Sequence, residues 1–193
     1  MQDPDHELVR DAKNGDQAAF SKLVNRYYQM VYAISYGVLN HSEAARDTAQ
    51  EVFLKVFREL RNFEAKSKFK TWLYRISVNA AIDEGRKKRP LESLDRGDDP
   101  DDDKPPIIPR DHTPGPRDIA YQSELREMLN RALEDLSPEH RAVMVLREFQ
   151  ELSYEEIAQS LQIEIGTVMS RLFYARKKMA QILSSKKGET ETR

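Results

Sequence analysis

The sequence predicts an all-α protein: two small helical domains joined by an acidic, proline-rich linker, the C-terminal one a helix-turn-helix. Three observations carry that expectation. Apolar residues recur every three or four positions on both sides of residue 90, and no period-two run suggests a strand. Residues 91–118 hold six of the nine prolines, two glycines and the run Asp98-Asp99-Pro100-Asp101-Asp102-Asp103, a composition that buries too little apolar surface to offset its ordering entropy. Finally, 31 Lys and Arg against 33 Asp and Glu give a net charge of −2, yet the charges are sorted into blocks. The balances are −3 over 1–54, +7 over 55–90, −5 over 91–118, −6 over 119–165 and +5 over 166–193. Two separate basic blocks in a near-neutral chain point to two separate polyanion contacts.

Composition narrows the function classes. With 39% hydrophobic residues in 193, two modest cores fit better than one large one. No apolar run approaches the roughly 20 residues of a membrane span, and the acidic start Met1-Gln2-Asp3-Pro4-Asp5 lacks the pattern of a secretory leader. Zero cysteines exclude disulfides and thiolate chemistry. The expected location is the cytoplasm, with no membrane insertion. His6, His41, His112 and His140 are scattered without metal-ligand spacing, and no nucleophile–base set is visible. No catalytic residue, metal or cofactor is therefore expected. Asp99, Asp101 and Asp103 alternate as in a calcium loop, but Lys104 and Arg110 stand where its glycine and glutamate would be, so a solvated tether is the expectation.

The helices follow in order. Leu8, Val9 and Ala12 mark a short first helix stopping at Gly15. Asp16 caps a second, with Phe20, Leu23, Val24, Tyr27, Val31, Ile34 and Val38 at helical spacing. Ser42 opens a third, whose inner face is Ala49, Val52, Phe53, Val56, Phe57 and Leu60. Asn62–Lys68 is a loop, and a fourth helix runs from about Phe69 to Arg86, ended by Pro90. Beyond the linker, Ile119–Leu136 is helical, and Ser137-Pro138 starts another helix through Arg147.

Ser153, completed by Glu156, caps the helix Tyr154–Leu161. Small Ala158 allows a close crossing, and Ile163 plugs the turn Gln162–Gly166. Thr167 is expected to cap a longer helix with the buried stripe Val168, Leu172, Ala175, Met179 and Ile182. That stripe pushes Ser170, Arg171, Phe173, Tyr174, Lys177 and Lys178 outward. From Gly166 to Gly188 there are six basic residues and no acidic one, which suits major-groove docking. Arg171 is placed to pair with guanine, Ser170 to reach a base or phosphate, and Lys177 and Lys178 to hold phosphates.

In the other basic block, Lys66, Lys68, Lys70 and Arg75 interleave with Phe63, Phe69, Trp72 and Tyr74. Cations track a phosphate backbone while aromatics offer stacking surfaces for unpaired bases, worth about 1–3 kcal/mol each. Helical spacing fits Phe69, Trp72, Leu73 and Ile76 to a core equally well, and the residues alone leave that choice open. Arg86-Lys87-Lys88-Arg89 adds a cluster for the duplex backbone.

Asp47-Thr48-Ala49-Gln50-Glu51-Val52-Phe53, then Phe69-Lys70-Thr71-Trp72-Leu73-Tyr74-Arg75-Ile76 and Asn79, resemble region 2 of the extracytoplasmic-function (ECF) sigma factors of bacterial RNA polymerase. Leu152-Ser153-Tyr154-Glu155-Glu156-Ile157-Ala158, Gly166-Thr167-Val168 and Ser170-Arg171-Leu172 resemble their region 4. The resemblance spans both helical units and implies a transcription initiation factor, active in a stress response, with a region 2 domain over 1–90, the linker over 91–118, a region 4 domain over 119–186 and a tail over 187–193. It further implies that Asp47, Gln50 and Glu51 meet the polymerase clamp helices. Phe63, Lys66, Ser67, Phe69, Trp72, Arg75 and Asn79 would contact the −10 element and an extruded base of its single strand. Thr167, Ser170, Arg171, Phe173, Tyr174, Arg176, Lys177 and Lys178 would read the −35 duplex, on a domain that also sits on the polymerase flap. An anti-sigma factor is the implied regulatory partner. This chain carries Met169 and Tyr174 where the family often has basic residues, and Glu64-Ala65-Lys66 where many members place Gly and Asp. The rival reading is a free-standing helix-turn-helix regulator, which would not require the Asp47–Asn79 segment.

Overall fold

The first helix, α1 (His6–Lys13), turns at Gly15, whose φ of +96° lies in the region that favours glycine. The computed structural model describes residues 4–88 and 133–190, with side chains over 4–87 and 133–181. The acidic run with its alternating aspartates, residues 119–132 of the helix expected before Leu136, Arg89, the Lys88 side chain and the end of the tail lie outside the described residues. All regular structure among the described residues is helical.

Asp16 caps α2 (Gln17–Leu39), its carboxylate accepting from the N–H groups of Ala18 at 2.8 Å and Ala19 at 3.1 Å. Buried Asp5 pins α1 to α2 by accepting from Tyr27 and Arg26. The third helix, α3 (Ser42–Glu59), is capped by His41 instead of Ser42: the ring Nδ1 accepts from the Ala44 N–H. A 3₁₀ turn, Leu60–Asn62, and an irregular loop lead into α4 (Phe69–Lys88). Phe57, expected inside, is 57% exposed; it reaches sideways to the Phe20 ring at 5.1 Å, and among the described residues no further layer covers it.

Ser137 and Pro138 start α5 (Pro138–Met144) as expected, but the chain then continues as a π-helical turn, Val145–Phe149. The capping box of α6 (Tyr154–Leu161) is present in full: Ser153 Oγ accepts from the Glu156 N–H, and Glu156 accepts from the Ser153 N–H at 2.8 Å. Gln162, with φ of 55°, closes α6, and α7 (Ile165–Thr190) follows. It starts two residues before Thr167, because the Glu164 carbonyl already accepts from Thr167 and Val168. Thr167 lies within the first turn and does not cap it.

Two apolar cores result. The first gathers Val9, Leu23, Val31, Val52, Val56, Phe69 and Leu73 from α1–α4. The second is shared between the halves of the chain: Ile34 and Val38 of α2 and Tyr74 and Val78 of α4 pack with Val143, Val145, Leu146 and Ile157. Helix α4 is therefore buried on two sides, Leu73 and Ile76 facing one core and Val78 and Ala81 the other. At roughly 1.5–3 kcal/mol for each fully buried aliphatic side chain, both cores contribute substantially to stability.

Candidate nucleic-acid interface

The loop before α4 is shaped by three restraints. Phe63 tucks under it, 4.8 Å from the Trp72 ring centre and edge-on to Phe69. Lys13 of α1 donates to the Phe63 carbonyl at 2.6 Å. Ala65 reverses the chain with a φ of +55°, a conformation that costs a residue with a Cβ roughly 1–2 kcal/mol. The tip is thus presented outward, with Lys66 paired to Glu64.

Between this loop and α4 lies a cavity of about 240 Å³ lined by Asn62, Phe63, Glu64, Lys66, Ser67, Thr71, Trp72, Arg75 and Gln159. That is below the roughly 300–1,000 Å³ typical of small-molecule sites. Its floor is aromatic and its rim cationic. Five of the seven residues expected to contact an unpaired strand meet here. Phe69 does not: it is fully buried among Tyr27, Phe63 and Trp72 and supports the cavity from behind. Asn79 is exposed further along α4 and does not line the cavity. Thr71, one turn before Arg75, was legible in the helical spacing; Gln159 was not, since it arrives from α6.

On α3, Asp47, Gln50 and Glu51 are all exposed. Leu54, one turn on and 56% exposed, extends their row. Sequence reasoning missed it, although its spacing from Gln50 and Glu51 was the available signal.

The outer face of α7 carries Phe173, 70% exposed, with Met169 and Tyr174 also open to solvent. Val168, Leu172 and Ala175 are buried as expected. Ser170 and Lys177 are exposed, while Thr167, Arg171 and Lys178 are half-buried. Arg176 is tied at 2.6 Å to Glu148, and that hydrogen bond raises its pKa further. The Tyr174 ring rests 4.7 Å from His140. Of the cluster after α4, Arg86 bonds Glu139 at 2.7 Å and Lys87 lies 3.4 Å from Glu84.

A capped helix, a tight turn and a second helix with a cationic, protruding face form a helix-turn-helix fitted to a duplex groove. An aromatic-floored, cation-rimmed cavity suits an unstacked base. Together these are features of a DNA-binding transcription factor.

Sequence comparison narrows this class. Residues 23–90 match the family Sigma-70 region 2, and residues 126–179 match Sigma-70, region 4. The chain is 34% identical over 188 residues to the RNA polymerase sigma-H factor of Pseudomonas aeruginosa, covering 94% of this chain and 95% of that one. It is 33% identical to the ECF sigma factor SigW of Bacillus subtilis (91% and 94% covered) and 35% to the ECF sigma-E factor of Escherichia coli K12 (89% and 90%). The fold resembles CnrH in complex with the cytosolic domain of CnrY, with a TM-score of 0.66, 24% identity and 94% and 97% coverage. It also resembles the sigma factor RpoE bound to the anti-sigma factor NepR from Bartonella quintana, at 0.61, 23%, 86% and 96%. The chain belongs to the ECF subfamily of sigma-70 RNA polymerase sigma factors, proteins of promoter recognition and transcription initiation.

Proposed function

We propose a division of labour among three surfaces. Asp47, Gln50 and Glu51 meet the polymerase clamp helices, with Leu54 and Phe57 adding apolar area to that contact. Lys66, Ser67, Trp72 and Arg75 hold an extruded base of the −10 single strand, Phe63 and Phe69 back the cavity, and Asn79 meets the strand beyond it. Extrusion costs a few kcal/mol, returned by stacking and phosphate contacts. Thr167, Ser170, Arg171, Phe173, Tyr174, Arg176, Lys177 and Lys178 read the −35 duplex, while the same domain sits on the flap. Arg86, Lys87, Lys88 and Arg89 hold duplex backbone. In this reading residues 1–90 and 119–186 act as separate promoter-binding domains on either side of an acidic tether. An anti-sigma factor covers the polymerase-facing row, the chain works in the cytoplasm, and it performs no chemistry of its own.

The observation that carries this reading is the aromatic cavity with its cationic rim, a feature a free-standing duplex-binding regulator does not need. Polymerase would hold both domains at promoter spacing, turning two weak contacts into a strong one through effective concentration. Run-off transcription with core polymerase and a genomic promoter library tests it: discrete start sites that depend on Trp72 and Arg171 are expected. Binding to duplex alone, without association with core, would favour the regulator.

A further inference from the structure

The first three turns of α7, assigned above to the −35 duplex, are apolar on the outside. Among the described residues, four of the seven exposed large apolar side chains lie there: Ile165, Met169, Phe173 and Tyr174. Isolated exposed apolar groups are ordinary, but a contiguous row marks a binding surface. Ile165, Met169 and Phe173 are spaced four apart, so they form such a row, and exposed Lys177 continues it by the same step. Along the row, Met169 and Phe173 line one groove with Tyr154 and Leu172, and the cations Arg176 and Lys177 stand at its end.

The polar groups beside the row are engaged within the protein. Ser170 Oγ donates to the Thr167 carbonyl at 3.0 Å, Arg176 is held by Glu148, and the Tyr154 ring lies 5.2 Å from the Arg147 guanidinium. The Tyr174 ring rests on His140. What the row itself offers a partner is a thioether and a phenyl ring, neither of which donates a hydrogen bond. Charge says what that partner is. No acidic residue occurs from Gly166 to Gly188, which fits a polyanion.

The edges of guanine, cytosine and adenine in the major groove are polar, and burying them against Met169 or Phe173 would leave them without partners. Thymine alone presents a methyl group there. We propose that Met169 and Phe173 are specificity-determining residues that select thymine in the −35 element through its C5-methyl group. Four residues at about 1.5 Å each separate them by roughly 6 Å, against about 3.4 Å per base step. The two selected thymines therefore lie about two steps apart, on the flank of α7 away from Arg171. This rests on the assignment of α7 to the −35 duplex.

The test uses the full chain assembled with core polymerase and a promoter library randomised through the −35 region. Selection should enrich thymine at two positions about two steps apart. Uracil, which lacks only the methyl, should then weaken binding about fourfold at each position. Met169→Ala should make thymine and uracil equivalent at one position, and Phe173→Ala at the other. Met169→Arg, which restores a bidentate donor, should shift the first preference to guanine by at least about fivefold. Both side chains are exposed, so melting temperatures should stay within a few degrees of the native chain and exclude misfolding. An enriched −35 sequence that depends on Arg171 but binds equally well with uracil overturns the thymine reading and leaves the −35 assignment standing. Variants that bind DNA normally but associate poorly with core polymerase also overturn it, and make the row a protein contact. If no −35 sequence is enriched, the assignment of α7 falls and the thymine reading with it.

Discussion

The two regions of this sigma factor proposed to face DNA are built oppositely. The cavity before α4 is concave, and its floor is made of core residues: Trp72 and Phe63 belong to the first core while edging the site. The face of α7 is convex, and its most exposed large apolar side chain, Phe173, contributes nothing to the core beneath. A surface that must receive an unstacked base needs a wall prepared in advance, since flexible aromatics would have to be ordered when the base arrives. A helix entering a groove needs only a rigid axis, which Val168, Leu172 and Ala175 provide from below. Binding and stability should therefore be inseparable at the first site and separable at the second.

Trp72→Ala tests the first half of that contrast with the largest effect. Truncating a buried tryptophan should cost about 3–5 kcal/mol of stability, and promoter opening, followed by permanganate reactivity of unpaired thymines, should fail at temperatures where −35 duplex binding persists. A loss confined to duplex binding would reverse the assignment. Leu54→Asp comes next. It should leave the melting temperature within a few degrees, because the side chain is exposed, yet weaken core polymerase association by about 2 kcal/mol or more if Leu54 anchors that contact. Arg171→Ala should cost about 1–3 kcal/mol at one −35 base pair; competition against single-base variants reads this, and equal loss on scrambled duplex contradicts it. Smallest is Ala65→Gly, expected to stabilise the chain by about 1 kcal/mol in urea titrations by relieving the positive φ.

The seam where the C-terminal helices pack on α2 and α4 adds a pH dependence. Burial alone would push the Glu139 carboxyl up. Its own N–H, Ser137 and Arg86 hydrogen bonds, with the Arg86 charge, overcome that and hold it down at about 2. A depressed carboxylate contributes stability above its unfolded value, about 4.3, and loses it as pH falls toward 2. Acid unfolding should show that contribution fading across this interval, and Glu139→Gln should flatten it. Tyr74, also at the seam, is pushed up to about 12 by burial and by nearby Glu156, so it remains a donor at neutral pH.

Most signals with a local cause were readable, the starts of α3 and α7 excepted, where His41 and Glu164 take the places expected of Ser42 and Thr167. Asp16, Ser137 with Pro138, Ser153 with Glu156, and the stripe Val168, Leu172, Ala175 all behave as their neighbours in sequence dictate. What escaped depended on partners far along the chain. Phe57 has helical spacing suited to a core but, among the described residues, no layer opposite it. On helix α4 the spacing of Phe69, Trp72, Leu73 and Ile76 showed one buried side; the second is completed by residues some 60 to 100 positions later. Gln159 enters the cavity only because α6 docks there, and no periodicity encodes that. Aromatic spacing around Trp72 left stacking and packing as alternatives; the fold assigns Phe69 to packing and leaves an edge of Trp72 at the site.

One side chain sharpens how the halves can part. Arg141 gathers three carbonyls, those of Leu136 and Glu134 beside it and that of Val38 in the last turn of α2. Slight loosening would strand a charged fork and a helix-terminal oxygen with neither protein nor full hydration to satisfy them. Half-measures are thus disfavoured: the contact between the two halves is kept whole or lost whole.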